Sequence, residues 1–384
     1  MRLAEYDGKV LLRRHGLAVP RSLLLRAGQE PPQSVAQWPG FFLKAQVLEG
    51  GRGKGGLVRR LGSLAEFRAM RRLILPALDD ADTPLLLEEA VPVARELFVA
   101  VRVDGTQHRL ELLLAPQGGE DVEQSAKNIV RIPVEIGAPA AAEVIFPALV
   151  EFLPRPLAAQ LARYAARLPE VARQEDLQLL EINPLVLTKD GALVACDAKI
   201  VRDEAADFRH DLPDFSLSRM LAERAMTALE RTARDLGFQL VETEGDVVLV
   251  TSGAGLAMLM MDLLADYGLR AASFMDNLQG APDETMNERL TIARVLAARP
   301  KIKAIVFQTV IASRSLAERV EALVDFVKAE PLPKPLFVGL AAGHAATRKM
   351  SMDDAIEKLG ALGVSAFTDP VALVKTAAAA CAGR

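Results

Sequence analysis

The sequence predicts an α/β protein whose texture changes near residue 238. Three observations lead there. Before residue 238, apolar runs joined by turn residues read as hairpins. After it, apolar strands alternate with amphipathic helices at the spacing of a parallel, doubly wound sheet. The length, 384 residues, suits two domains or three compact units.

In chain order, Leu3, Tyr6, Val10 and Leu11 recur at helical spacing and stop at Gly16, a helix-ending signal. Residues 63–75 read as a helix opened by a capping box, Ser63 with Glu66. Residues 84–89 read as a strand ending in Glu88 and Glu89, and 97–103 with 109–115 as a hairpin around Asp104-Gly105. An amphipathic helix, 156–168, leads to a second hairpin, 177–182 and 192–197, turning at Lys189-Asp190-Gly191. In the second part, strands are expected at 247–250, 271–275, 302–308 and 336–340, and helices at 256–267, 284–298, 316–327 and 352–362. In such sheets the strand-to-helix turns collect at one edge, where ligands bind.

The second hairpin carries the chemistry. Glu181-Ile182-Asn183-Pro184-Leu185 is followed fourteen residues after Asn183 by Asp197. Strand alternation puts Glu181 and Asn183 on one face and Asp197 opposite them. One or two hard oxygen donors are what Mg²⁺ takes from a protein when nucleotide phosphates and water supply the rest. By themselves they also suit a solvated hairpin face. Far upstream, Lys44 ends the apolar run Phe41-Phe42-Leu43, and residues 50–56 hold five glycines with Arg52 and Lys54. Glycines permit close backbone approach, and the cations supply charge for phosphate oxygens. Gly55 after Lys54 excludes a Walker loop. Taken together, the two motifs favour a nucleoside-triphosphate site over a flexible connector.

Composition excludes other classes. With 51% hydrophobic and 25% charged residues, an ordinary soluble globular chain is expected. A net charge of −4 argues against a nucleic-acid partner. Cys196 and Cys381 have no ligand spacing, so neither a zinc site nor a disulfide framework is expected, and a reducing cytoplasmic location is. The most apolar run, 247–264, contains Thr251, Ser252 and Asp262 and does not read as a membrane span.

These spaced motifs resemble the succinyl-CoA synthetase β-subunit family, with its acid–CoA ligase and ATP-citrate lyase relatives. The resemblance runs from Leu3-Ala4-Glu5-Tyr6 and Lys9, through 44–56, 88–96 and Glu181 to Val186 with Asp197, to Gly253-Ala254-Gly255-Leu256-Ala257-Met258. It implies an ATP-grasp nucleotide-binding domain over 1–238 and a flavodoxin-like, doubly wound CoA-ligase domain over 239–384. Lys44, Gly51, Arg52 and Gly53 would hold the phosphates of ATP, and Glu88 and Glu96 would contact the adenosine moiety. Asn183 and Asp197 would ligate Mg²⁺, and Glu181 would face a phosphohistidine. The resemblance places that histidine, and most of the CoA contacts, on a separate α-type subunit. None of His15, His108, His210 and His344 has the context of the family's phosphohistidine.

Three departures from the family bear on function, the first at the helix start that in the family faces the phosphohistidine and the other two where it holds the acid. Asp276-Asn277-Leu278-Gln279-Gly280-Ala281-Pro282 replaces the family's triple glycine at a helix start. Ser252 stands where the family has asparagine. Gln308-Thr309-Val310-Ile311-Ala312, with Ser313, Arg314 and Ser315, replaces an Asn-Ile-Phe-Gly-Gly stretch, and Gly339 replaces an arginine. Ser252, Ala312, Ser313 and Arg314 are therefore the candidate acid-binding residues. The expected function is an ADP-forming acid–CoA ligase β-subunit acting on a small carboxylic acid other than succinate. The alternatives are a citryl-CoA synthetase large subunit, suggested by Gly280-Ala281-Pro282, and a nucleotide-binding regulatory partner without ligase activity.

Overall fold

The twelve-residue strand Leu177–Thr188 organises the first half of the chain. Leu180 and Ile182 are fully buried, while Glu181 and Asn183 alternate with them onto the opposite face. The strand pairs antiparallel with Val93–Asp104 on one side and with Leu193–Ala195 and then Lys199–Arg202 on the other. The sheet continues outward through Arg2–Leu3 beyond Lys199–Arg202, and through Arg109–Ala115 and Val130–Val134 beyond Val93–Asp104. Its core takes Leu11 and Leu12 from the helix Glu5–Arg14, Ile145 and Leu149 from Ala142–Leu149, Leu161 from Arg155–Ala165, and Val171 from Leu168–Gln174.

The computed structural model describes residues 1–78, 82–119, 129–135, 137, 139–210, 215–277, 285–311, 315–344 and 346–382. By its contacts the chain divides into Met1–Glu223 and Arg224–Arg384. The sequence expectation put the division at 238/239. The helix Ala228–Asp235 explains the difference: its Ala233 is buried with Phe238 and Leu240, so it belongs to the second unit's core.

A smaller antiparallel sheet completes the first unit, in the order Ser22–Leu25, Leu85–Glu89, Phe41–Ala45, Val58–Leu61. Phe41, Leu43 and Ala45 pack with Phe67 and Ile74 of the helix Phe67–Ile74. The capping box of Ser63 and Glu66 is formed, and it opens a 3₁₀ turn, Leu64–Glu66, ahead of that helix. Alternation then turns Lys44 away from this core.

In the second unit, Val247–Thr251, Ala304–Ile311, Leu336–Ala342 and Ser365–Phe367 form a parallel ladder in that order. Met286–Ala297, Leu316–Ala329 and Met352–Gly360 bury side chains on one face of it, and Ala254–Asp266 and Pro370–Ala382 on the other. This is the doubly wound arrangement expected. The strand expected at 271–275 differs. It is Ser273–Asn277, and its ladder partner is the antiparallel strand Phe238–Glu242. Towards Val247–Thr251 it makes one bridge, Ala271 to Val247, and then side chains take over. The Ser273 hydroxyl accepts from Leu249 N at 3.1 Å and donates to Leu249 O at 3.0 Å, while Thr251 Oγ1 donates to Met275 O at 3.2 Å. Hydroxyls replace the ladder there, which apolar patterning alone does not register.

Gly339 has a steric cause. A Cβ at this position would lie 1.7 Å from Gln308 Oε1 and 2.9 Å from Leu373 Cδ1. Gln308 is buried on the neighbouring strand, level with Gly339, and occupies the space above it. Gly339→Ala is expected to destabilise the protein by about 1–3 kcal/mol. In the background of Gln308→Ala the same change should cost clearly less, as urea unfolding of the four variants would show.

Candidate functional site

The helix Glu5–Arg14 has no side-chain N-cap on Ala4. Its first turn is held from elsewhere. Ser218 Oγ accepts from Ala4 N at 2.8 Å, and Asp7 accepts from Ser218 N at 2.7 Å and Ser218 Oγ at 2.5 Å. Gln46 Oε1 accepts from Tyr6 N at 2.9 Å, tying the helix to the residues just after Phe41–Ala45. Burial pushes the Asp7 carboxyl up, against the pull of the Ser218 hydrogen bonds.

One turn apart on this helix, Glu5 and Lys9 meet the exposed edge of neither sheet but a buried cluster of charge. Lys44 Nζ donates to Glu5 Oε1 at 2.6 Å and to the Cys196 carbonyl at 2.7 Å, and lies 2.5 Å from Glu88 Oε2. Lys9 Nζ donates to Glu5 Oε1 at 2.6 Å, Glu88 Oε1 at 2.5 Å and the Cys196 carbonyl at 2.9 Å. Arg52 reaches in from the glycine-rich loop: Nη1 binds Glu5 Oε2 at 2.6 Å and Nη2 binds Asp197 Oδ1 at 2.6 Å. Three carboxylates thus face three cations, which is the condition for keeping such groups buried at all.

The electrostatics follow. Burial alone would raise Glu5, but Lys44, Lys9 and Arg52 hold it well below the ordinary carboxylate range. Burial opposes the charge on Lys44 and on Arg52. The carboxylates around them win, and both cations are held more firmly than usual. Asp197 is pushed up by enclosure and by Glu5, against Arg52, Lys44 and Lys9. Burial pushes the Cys196 thiol up to about 11, with Lys9 and Lys44 pulling the other way.

The candidate metal donors come together through strand register. Ala195 stands opposite Leu185 and Lys199 opposite Glu181, so Asp197 is level with Asn183. Both hydrogen bonds to the Asp197 carboxylate fall on Oδ1, from Arg52 and from Ala198 N, and Oδ2 has none among the described residues. Asn183 Oδ1 accepts from Gly119 N at 2.7 Å. The loop carrying Gly119 lies close over the strand Val93–Asp104, since a Cβ on Gly118 would sit 2.4 Å from Leu97 O. No group of three or more His, Cys, Asp or Glu forms among the described residues. One amide and one carboxylate oxygen fit a Mg²⁺ ion completed by phosphates and water.

Other sequence-derived candidates fall as follows. Gly51 has φ +78°, a left-handed turn position open to glycine, and the Gly53 carbonyl accepts from Gly56 N. Glu181 faces Lys199 across the strand pair at 3.7 Å. Glu96 is exposed on Val93–Asp104. Glu88, the other expected adenosine contact, is 2% exposed and each of its carboxylate oxygens is bound by an ammonium group. Ser252 is exposed directly after Val247–Thr251. Ala312, Ser313 and Arg314, and Gly280-Ala281-Pro282, lie outside the described residues.

Sequence reasoning missed Glu5 and Lys9 as site residues. Their spacing of four on one face of a helix was a usable signal. It also missed Arg289, buried on Met286–Ala297, whose guanidinium donates to Thr251 O at 2.5 Å and Thr285 Oγ1 at 3.0 Å and also binds Asn277. Arg289 fixes the strand end from which Ser252 projects.

Because the folded Glu5 carboxyl binds its proton at lower pH than the unfolded one, its stabilisation is complete above the unfolded value, about 4.3. It is lost as pH falls through the lower folded value. Glu5→Gln should cost about 3–5 kcal/mol at neutral pH by stranding buried cations. Its Tm deficit should persist down to about pH 4 and narrow only below that. A deficit that begins to narrow near pH 6 would contradict this assignment.

An ATP-grasp domain model matches residues 2–187. The succinate–CoA ligase [ADP-forming] subunit beta of Desulfurococcus amylolyticus is 30% identical over 94% of this chain and 98% of its own length. The protein of the same name from Methylobacillus flagellatus is 32% identical over 98% of this chain and 100% of its own. Among solved structures, ATP citrate lyase from Methanothrix soehngenii, in complex with citrate and coenzyme A, shares the fold. The TM-score is 0.69 at 16% identity, covering 98% of this chain and 99% of that one. Glu5, Lys9, Lys44, Glu88, Asn183 and the glycine-rich loop thus fall within the segment matched as an ATP-grasp domain, and the chain belongs to the family of ADP-forming succinate–CoA ligase β-subunits.

Proposed function

We propose that this chain is the nucleotide-activating β-subunit of an ADP-forming acid–CoA ligase whose acid is not succinate. The observation that carries the reading is the convergence of Lys44, Arg52 and Asp197 next to Asn183, within a chain of this family. Lys44 and Arg52, with the Gly51 and Gly53 backbone, hold the phosphates of ATP. Asn183 and Asp197 hold Mg²⁺, which when bound neutralises phosphate charge during transfer. Glu96 is the adenosine contact. Glu88 is reassigned: it positions Lys9 and Lys44 through their ammonium groups.

The γ-phosphoryl group passes to a histidine of an α-type partner, which Glu181 faces, and from there to the acid's carboxylate. The CoA thiol, bound mainly by the partner, then displaces phosphate from the acyl phosphate. Two of the chain's own histidines are held in pairs, His15 with Glu175 at 2.8 Å and His210 with Asp176 at 2.5 Å, which supports a carrier on the partner. The cytoplasm is the proposed location. Among the described residues no helix is long and apolar enough to cross a membrane.

The acid assignment rests on Ser252, Ala312, Ser313 and Arg314, and on Gln308 filling the space above Gly339. Citrate is the second candidate acid, favoured by Gly280-Ala281-Pro282, and it belongs in the assay alongside succinate.

The test is CoA-dependent phosphate release by the chain with its co-purified partner, Mg·ATP and a panel of di- and tricarboxylic acids. Turnover on one acid but not on succinate is expected. ATP binding without turnover on any acid would replace the ligase reading by a regulatory one. Asn183→Ala and Asp197→Ala should each lower Mg²⁺-dependent phosphorylation of the partner's histidine by about a hundredfold. Undiminished labelling would refute the metal pair.

A further inference from the structure

Arg52 is the one cation of the charge cluster that comes from a loop. Its side chain is only 11% exposed, and its two terminal nitrogens serve two different carboxylates. The Glu5 end is anchored, because Lys9 and Lys44 both hold the other Glu5 oxygen. The Asp197 end is not. Arg52 Nη2 and Ala198 N share Oδ1, and Asp197 is a third exposed. The chain beside Arg52 leaves room for its side chain to turn: Gly51 is in a left-handed conformation, and a Cβ on Gly50 or Gly51 would meet open space.

We propose that Arg52 is an internal stand-in for the divalent cation: it neutralises Asp197 until metal and nucleotide arrive together, then turns to the phosphates while Glu5 keeps hold of it. The inference rests on the nucleotide-site reading above and adds a coupling to it. With Arg52 in place the cluster is balanced, three carboxylates against three cations. A free divalent cation must displace or crowd a guanidinium, and a metal-free nucleotide must draw Arg52 off Asp197 and leave that carboxylate unpaired. Bound together, the metal replaces Arg52 at Asp197 and the phosphates receive Arg52. Each ligand therefore strengthens the other's binding, by an equal factor.

The experiment measures Mn²⁺ retained with the full chain on ultrafiltration, with and without ATP and against a protein-free Mn–ATP control, in wild type, Arg52→Gln and Arg52→Lys. Wild type should bind Mn²⁺ weakly alone and at least about tenfold more tightly with ATP. Arg52→Gln should bind Mn²⁺ alone about tenfold more tightly than wild type, and the gain from ATP should shrink correspondingly. Arg52→Lys keeps the charge and should keep Mn²⁺ binding weak, so it reports independently if the glutamine variant does not fold. Unchanged Mn²⁺ affinity in a folded Arg52→Gln, or tightened affinity in Arg52→Lys, would overturn the stand-in while leaving the nucleotide site intact. Failure of wild type to bind Mn²⁺ and ATP together would overturn the nucleotide-site reading, and the stand-in with it.

Discussion

Everything in the first unit's chemistry depends on one buried carboxylate, Glu5. It accepts charge-assisted bonds from Lys9, Lys44 and Arg52, residues from the opening helix, the small sheet and the glycine-rich loop. A carboxylate so placed acts as a rivet: it fixes three donors in one geometry before any ligand is present. Burying it is favourable only because both of its oxygens are answered by cations. The helix bearing it is in turn secured by Asp7, Ser218 and Gln46. Preorganisation of this kind is what phosphoryl transfer asks of a protein, since positioning and charge do most of the work.

Much of this was legible in the sequence where the signal is local. The hairpin around Leu177–Thr188 follows from apolar alternation and a turn, and its register places Asp197 level with Asn183 as strand geometry requires. The Ser63–Glu66 capping box and the alternating strands and helices after Val247 are likewise short-range patterns. What escaped is long-range and electrostatic. Glu5 and Lys9 read as ordinary positions of an amphipathic helix, because their partners, Lys44 and Arg52 for Glu5 and Glu88 and the Cys196 carbonyl for Lys9, lie far along the chain. Glu88, which the resemblance offers as an adenosine contact, has its carboxylate oxygens held by two ammonium groups, and no local pattern in the sequence signals that pairing.

The second unit shows a related limit. Its parallel ladder is visible as apolar strands, but the join between Val247–Thr251 and Ser273–Asn277 is made by hydroxyls of Ser273 and Thr251. Arg289, bound to Thr251 and Asn277, sits at the end of that join, so a single buried cation braces both strand ends. Polar side chains that substitute for backbone pairing carry no periodic signature, and only the folded chain reveals which ones do so.

The fit between Gln308 and Gly339 makes two neighbouring strands read one another. The Gln308 side chain fills the space that a Cβ at 339 would enter, and Leu373 closes it from another side. A larger residue at 339 therefore requires Gln308 to turn away or be replaced. The two positions carry one decision between them: whichever holds the bulk leaves the other to go without.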